Sequence, residues 1–345
     1  MTSEECLKSL PDILTFNDEE KVENGIDWQK RRVEVYEAII PVQYGALPPA
    51  PNTISFELLH EAGTYIDSVE SYISGRVRFA FEKEMTFGLN LYIPHGEGPF
   101  PVVICGDGCW PRYVSDEVID DVVGRGYVLA IFNRCELAKD IMKDNAQDIG
   151  LYAIAPKGNY GALAAWAWGY HRAVDVLVDM PFVDADKISI TGHSRGGKTV
   201  LLAAATDERI ALVGANNSGG GGAGCYRWLD PKAEKIENLL ENFTYWFASS
   251  FSDWIGRELE LPFDQHFLKA LIAPRAQLNM TANGDLWANP EGTRITNEAT
   301  MKVYDLLNAS GRFKLTHREG THAHKPEDWK TFLDFADEQF KNDEC

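Results

Sequence analysis

The stretch KISITGHSRGGKTVLLAAA, residues 187–205, constrains the fold more than any other part of the chain. KISIT reads as a β-strand, and the run from Arg195 to Ala205 reads as a helix. Between them lies Gly192-His193-Ser194-Arg195-Gly196, a Gly-x-Ser-x-Gly pattern. A strand that feeds straight into a helix through so short a turn is the setting a nucleophile elbow requires. Glycine is needed at 192 and 196, because a Cβ there would strike the neighbouring strand or helix. The turn places Ser194 at a helix N-terminus, whose partial positive charge favours a nearby oxyanion. The pentapeptide alone also fits an ordinary glycine turn. The strand–turn–helix setting favours a nucleophile.

The rest of the chain repeats the same alternation. RVRFAF and GLNLYIP alternate as paired strands, and PFPVVICGDG is a short apolar run ending in glycines, as buried parallel strands do. Strands are expected at YVLAIFN, IALVGANN, APRAQLNMTA and RFKLTHR. Helices are expected at SDEVIDDVVGRG, YGALAAWAWGYHRAVDVLVDM, TNEATMKVYDLLNA and PEDWKTFLDFADEQF. Trp166 and Trp168 in AWAWG read as core packing. Strand–helix alternation implies an α/β fold with a mainly parallel central sheet and helices on both faces, a three-layer sandwich. Residues 1–75, with a helix near WQKRRVEVYEAI and a break at LPPAPNT, are expected to be a lead-in packed on the core. Residues 76–345 would form the main domain. The stretch 219–263 interrupts the alternation: GGGGAGCYRW reads as a loop and NFTYWFASSFSDW as an aromatic cap over the strand ends.

The formal charge of −19 argues against nucleic acid and anionic membrane as partners. No stretch reaches the roughly 18 apolar residues needed to span a bilayer. The first residues, MTSEECLKSLPDILTF, lack a basic start followed by an apolar run. Six cysteines lie scattered at 6, 105, 109, 135, 225 and 345. A cytoplasmic protein with free thiols is the expectation. Cys105 and Cys109 (CGDGC) could share a metal or a disulfide, but no second Cys/His pair sits at ligand spacing beside them. The sequence leaves the oligomeric state open.

A serine nucleophile needs a base and an orienting acid, which follow it in the order acid, then histidine, in α/β-hydrolases. HREGTHAHKPEDW offers three histidines after the last strand. His317 falls at the strand end, where a half-buried structural role is expected. His322, following Gly320-Thr321, is preferred over His324 as the base. A zinc site on His322 and His324 would need further ligands, and none is identifiable. NMTANGDLWANPEG offers Asp285 as the acid that fixes the imidazole tautomer, a reading preferred over a carboxylate that merely makes an Asx-turn.

Taken together, these residues resemble the glucuronoyl esterases, carbohydrate esterase family 15, and the bacterial members above all. Gly192 through Lys198 matches the family's Gly-x-Ser-Arg-x-Gly-Lys pattern. DWQKRRVEVYEAIIPVQYGALPP, YGALAAWAWGYHRAVDVL, DERIALVGANNSGGGGAGCYRW, LPFDQHFLKALIAPR, DLWANPEGT and HREGTHAHKPEDW extend the likeness over roughly residues 10–340. The resemblance implies an α/β-hydrolase fold and cleavage of 4-O-methyl-glucuronic acid esters. It makes Ser194 the nucleophile and His322 the base. Arg195 would lend its guanidinium to the oxyanion hole, Lys198 would bond sugar hydroxyls, and Trp287 would pack on the sugar ring. Where some members carry a glutamate after the sixth strand, this chain has Asn217, so Asp285 is left as the acid. Fungal members join a cysteine before the nucleophile to one after the catalytic histidine. His193 and Ala323 stand at those positions here.

The expected chemistry is two-step acyl transfer, which requires no metal or organic cofactor. The substrate would be a small-molecule or oligosaccharide uronate ester. An esterase for acetylated or otherwise acylated sugars is the enzymatic alternative. A catalytically inactive hydrolase fold that binds sugar is the other.

Overall fold

The computed structural model describes residues 1–110, 113–142, 149–155, 158–228 and 230–341. Cys345 lies outside them. Nine strands form one sheet in the order β1-β2-β3-β5-β4-β6-β7-β8-β9. They are β1 (Thr53–Ala62), β2 (Val69–Ala80), β3 (Glu84–Pro94), β4 (Phe100–Cys105), β5 (Val128–Phe132), β6 (Val183–His193), β7 (Leu212–Asn216), β8 (Ala276–Ala282) and β9 (Phe313–Arg318). β1, β2, β3 and β5 pair antiparallel in succession. From β5 to β9 every pairing is parallel.

Alternation in β4 builds both cores. Val102 and Ile104 enter the larger cluster, and Val103 and Cys105 enter the opposite one. The larger cluster is closed by α2 (Gly25–Ile39), α4 (Ala162–Leu177), α5 (Arg195–Thr206), α7 (Gln265–Ala270) and one side of α8 (Pro290–Leu306). The smaller is closed by α3 (Asp116–Gly124) and α9 (Pro326–Phe340), through residues such as Val122, Trp329 and Phe332. Two short helices complete the set: α1 (Ser3–Ser9) and α6 (Ile236–Phe243). The expected α/β-hydrolase sandwich is what forms, and Trp166 and Trp168 are core residues as read from AWAWG.

The N-terminal boundary differs from expectation. β1 pairs with β2 along its whole length, with Leu58 opposite Gly75, so a division at residue 75 would cut a strand in two. The true lead-in is residues 1–44, ending in one π-helical turn at Ile40–Tyr44. β1 escapes detection because it is the sheet's edge. Its Leu58 and Leu59 are about half exposed, so no clean inside–outside alternation marks it. In the described part of 219–263, Trp246, Phe247 and Phe251 are buried, and Ala248 donates its backbone N–H to the Gln43 carbonyl.

Two buried histidines remote from the catalytic cleft are expected to weaken the fold on acidification. Burial holds His171 and His266 down to about 4 from the ordinary 6.5. His171 contacts the Ala203 carbonyl at 3.1 Å and His266 the Pro11 carbonyl at 2.9 Å. Between those pH values the unfolded chain binds protons that the folded chain refuses, so stability rises with pH and falls on acidification. Between pH 6.5 and 5 each histidine is expected to cost about 2 kcal/mol. Urea titrations at pH 7, 6 and 5 check this. An unchanged midpoint across that range would refute it, and His171→Gln should flatten the curve.

Candidate active site

β6 and α5 meet at Ser194, whose backbone takes φ 57° and ψ −120°. This left-handed region is costly for a side-chain-bearing residue, and such strain marks functional turns. The turn is pinned from both sides. Ser194 N–H donates to the Asn216 carbonyl at 2.8 Å, and His193 N–H donates to Asp107 Oδ2 at 2.9 Å. A Cβ on Gly192 would come within 2.6 Å of the Gly196 carbonyl oxygen, and one on Gly196 within 2.3 Å of Asp107 Oδ1. The glycines of the motif are there for space. The first backbone donor to bond within α5 is Lys198, back to the Ser194 carbonyl. The earlier amides of the helix, beginning with Arg195, have no preceding turn to bond and lie beside the serine.

The three distant side chains meet. His322 Nε2 lies 2.9 Å from Ser194 Oγ, and its Nδ1 lies 2.5 Å from Asp285 Oδ2. Asp285 is 5% exposed and held in a turn whose Asp285 N–H donates to the Ala282 carbonyl. The acid loop and the histidine loop are tied together: Gly284 N–H donates to the Gly320 carbonyl at 2.9 Å. Arg318 braces the histidine loop with bonds to the Glu319 and Ala323 carbonyls and to Asp328.

The other histidines have different neighbours. His324 is wedged between Tyr113 and Trp329, and burial drives its ring well below the usual histidine range. It stacks on His193 at 5.3 Å with the planes 3° apart, and His193 lies 4.6 Å from the His322 ring. Burial, and then the neighbouring His322, hold His193 to about 4. Two neutral imidazoles therefore back the one that faces Ser194. His317 is exposed rather than half-buried, with Nδ1 2.8 Å from Thr281 Oγ1.

Arg195 is partly exposed, and its guanidinium lies over the rings of Trp246, Phe243 and Trp110. Lys198 departs from its expected role. It is 2% exposed, and its ammonium donates to the Ser218 carbonyl (2.7 Å), the Gly220 carbonyl (2.6 Å) and Glu234 Oε2 (2.7 Å). All three of its protons are committed, and desolvation lowers its pKa. Helical spacing shows that Lys198 lies one turn beyond Ser194. It does not show that the glycine loop closes over it. Trp287 is 43% exposed, and its carbonyl accepts from Glu234 N–H. Asn217 is buried, accepts from Ala282 N–H and donates to Asn216, so it supplies no carboxylate. Cys105 and Cys109 point to different places. Cys105 is in the core, its thiol pushed up to about 12 by burial, and Cys109 lines a surface cleft.

Ser194, Arg195, His193 and His322 line a cleft of about 400 Å³ with Trp110 and Tyr113. A larger cavity of about 780 Å³, around Trp28, Arg32 and Arg275, contains no nucleophile or imidazole. Sequence reasoning did not find Asp107, Arg134, Asp140, Glu234 or Tyr245. Each enters the site through packing between distant segments, and only Asp107, in the glycine turn after β4, had a local signal.

A nucleophile elbow with its imidazole and carboxylate in register, at the C-terminal ends of parallel strands, defines a serine hydrolase of the α/β-hydrolase fold. The comparisons narrow the class. The family model "Glucuronyl esterase, fungi" matches residues 79–308. A 4-O-methyl-glucuronoyl methylesterase of Wolfiporia cocos is 28% identical over 308 residues, covering 86% of this chain and 72% of the relative. A glucuronoyl esterase from Solibacter usitatus superposes with a TM-score of 0.85 at 25% identity, covering 96% of this chain and 97% of that one. A carbohydrate esterase family 15 glucuronoyl esterase from Caldicellulosiruptor kristjansonii gives 0.81 at 31% identity, covering 96% and 91%. The chain belongs to the glucuronoyl esterase family.

Proposed function

We propose that the protein hydrolyses esters of glucuronic acid and its 4-O-methyl ether through an acyl-enzyme on Ser194. The hydrogen-bonded line from Ser194 Oγ through His322 to Asp285 carries this reading. Neutral His322 takes the Ser194 proton as Oγ attacks the uronoyl carbonyl. The amide of Arg195 and its guanidinium receive the developing oxyanion. The tetrahedral intermediate expels the alcohol, which takes the proton from His322 Nε2. Water then enters with His322 again as base, and Ser194 is released with the uronic acid.

The family's substrate class supplies the acyl group, a sugar acid with several hydroxyls. Lys198 serves it indirectly, by fixing Glu234 and the loop at Ser218 and Gly220 beside the nucleophile. Trp287, 43% exposed two residues after Asp285, is the aromatic side chain this reading assigns to packing on the sugar ring. No helix among the described residues is long and apolar enough to cross a membrane. The free thiols of Cys6, Cys105, Cys109, Cys135 and Cys225 support a reducing, cytoplasmic place of work.

Methyl glucuronate and acetylated xylose separate the readings. The uronate ester is expected to give a kcat/KM higher on the order of 100-fold, since sites that hydrogen-bond a substrate group reject analogues lacking it. Faster cleavage of the acetate would assign the enzyme to acylated sugars instead.

A further inference from the structure

Asp140 lies in the segment after β5, 55 residues from Arg195, with its side chain 8% exposed. Its Oδ2 accepts from Arg195 Nη1 at 2.9 Å and faces Arg134 Nη2 at 4.0 Å. Its Oδ1 accepts from the Tyr245 hydroxyl at 2.7 Å and from the Trp246 indole N–H at 3.1 Å. This carboxylate thus collects hydrogen-bond donors from the nucleophile turn and from the 219–263 stretch, with the Arg134 cation facing it from the segment after β5. The same stretch supplies the aromatic walls around the guanidinium. Its carbon lies 4.8 Å from the Trp246 ring and 5.2 Å from Phe243, with Trp110 at 5.7 Å from the β4 side. Behind Asp140, Arg134 is paired to Asp107, which accepts the His193 N–H at the elbow. Charges alternate along Asp107, Arg134, Asp140 and Arg195, so the chain adds no net charge beside the serine.

We propose that Asp140 is the positioning residue of this site: it aims the Arg195 guanidinium at the oxyanion position before substrate arrives, and Tyr245 and Trp246 lock that aim to the aromatic stretch. This rests on the reading of Arg195 as an oxyanion donor. An arginine side chain free in solvent samples many rotamers, and each one lost at the transition state costs entropy. A donor stabilises an oxyanion best when it is already in place, because no reorganisation is then needed as charge develops. Asp140 holds one edge of the guanidinium, and the rings hold its faces. The rest of the group remains on the cleft that Ser194 and His322 also line. Asp140 itself lines an adjoining cleft of about 310 Å³ that shares Trp110, so it reaches Arg195 from behind.

The test is a set of variants assayed on methyl glucuronate: Asp140→Ala, Asp140→Asn, Tyr245→Phe, Arg195→Ala and the double variant Asp140→Ala/Arg195→Ala. Misplacing a catalytic group by an ångström costs about 100-fold in rate, so Asp140→Ala is expected to lose about that factor in kcat. KM should move less than about threefold, because ground-state binding does not use the oxyanion donor. Asp140→Asn keeps an acceptor of the same shape and should lose less, and Tyr245→Phe less still, though both more than about threefold by the same logic. In the Arg195→Ala background the Asp140→Ala loss should vanish, since two residues that act through one group are not additive. An equal loss in both backgrounds overturns the proposal and leaves Asp140 a merely structural residue. So does wild-type kcat in both Asp140→Asn and Tyr245→Phe, which conserve side-chain volume and so keep the test open should Asp140→Ala unfold. Near-native turnover of Arg195→Ala itself would instead overturn the reading of Arg195, and the proposal with it.

Discussion

Ser194→Ala is expected to lower kcat on methyl glucuronate by about 10⁵- to 10⁶-fold, with KM held within a few-fold. The hydroxyl is the atom that bonds to the substrate carbonyl, and the variant has none. What survives is the oxyanion environment and substrate binding, which by themselves give a residual rate over water. The substitution removes one oxygen from a turn already strained at φ 57°, so the fold has no reason to change. A fluorophosphonate probe reads the same atom independently. It should label the native protein once, on Ser194, and leave the variant unlabelled. An unlabelled native protein would mean the geometry is assembled but inert, and a sugar-binding role would then replace catalysis. Arg195 and Lys198 flank the same serine, yet truncating either leaves the bond-forming atom in place. Their variants should therefore still be labelled, more slowly.

What was legible in the sequence is what depends on neighbours along the chain. KISIT and the helix after it declare the elbow because strand, turn and helix are contiguous, and the sterics that require Gly192 and Gly196 are local. The order serine, acid, histidine is the one α/β-hydrolases use, and the parallel sheet is what lets residues so far apart meet. Each crossover returns the chain to the same end of the strands, so loops after β6, β8 and β9 must converge. That is why Asp285 and His322 could be found 91 and 128 residues downstream of Ser194. The convergence of loops does not say which way a side chain turns inside them. Lys198 was expected to face the sugar. It faces Glu234 and two carbonyls because the glycine loop of residues 218–220 folds over α5. The His193 and His324 stack and the Asp140 lock are invisible for the same reason: each joins segments that only tertiary packing makes adjacent. β1 was missed for a different cause. An edge strand need not bury alternate residues, and period-two patterning is the only mark it could have carried.

Asp285→Asn is expected to cost about 10⁴-fold in kcat, one to two orders of magnitude less than losing the serine, though its carboxylate never touches substrate. Oδ2 lies 2.5 Å from His322 Nδ1, so Nδ1 carries the proton and Nε2 presents its lone pair to Ser194 Oγ. An asparagine fits the same space, and its amide can donate to Nδ1. That bond selects the tautomer with the proton on Nε2, which cannot accept one from serine. The negative charge that steadies the imidazolium as it forms is lost as well. Asn217 offers no relief, because its amide is spent on Ala282 and Asn216. The loss should fall on kcat, with KM nearly unchanged, and folding should be spared since the volume is conserved. Fluorophosphonate labelling should slow by a similar factor, as it too requires a deprotonated serine. Activity above about a tenth of native would mean that another group orients His322, and the loop from Gly284 to Asn289 would then owe its geometry to the Asx-turn alone.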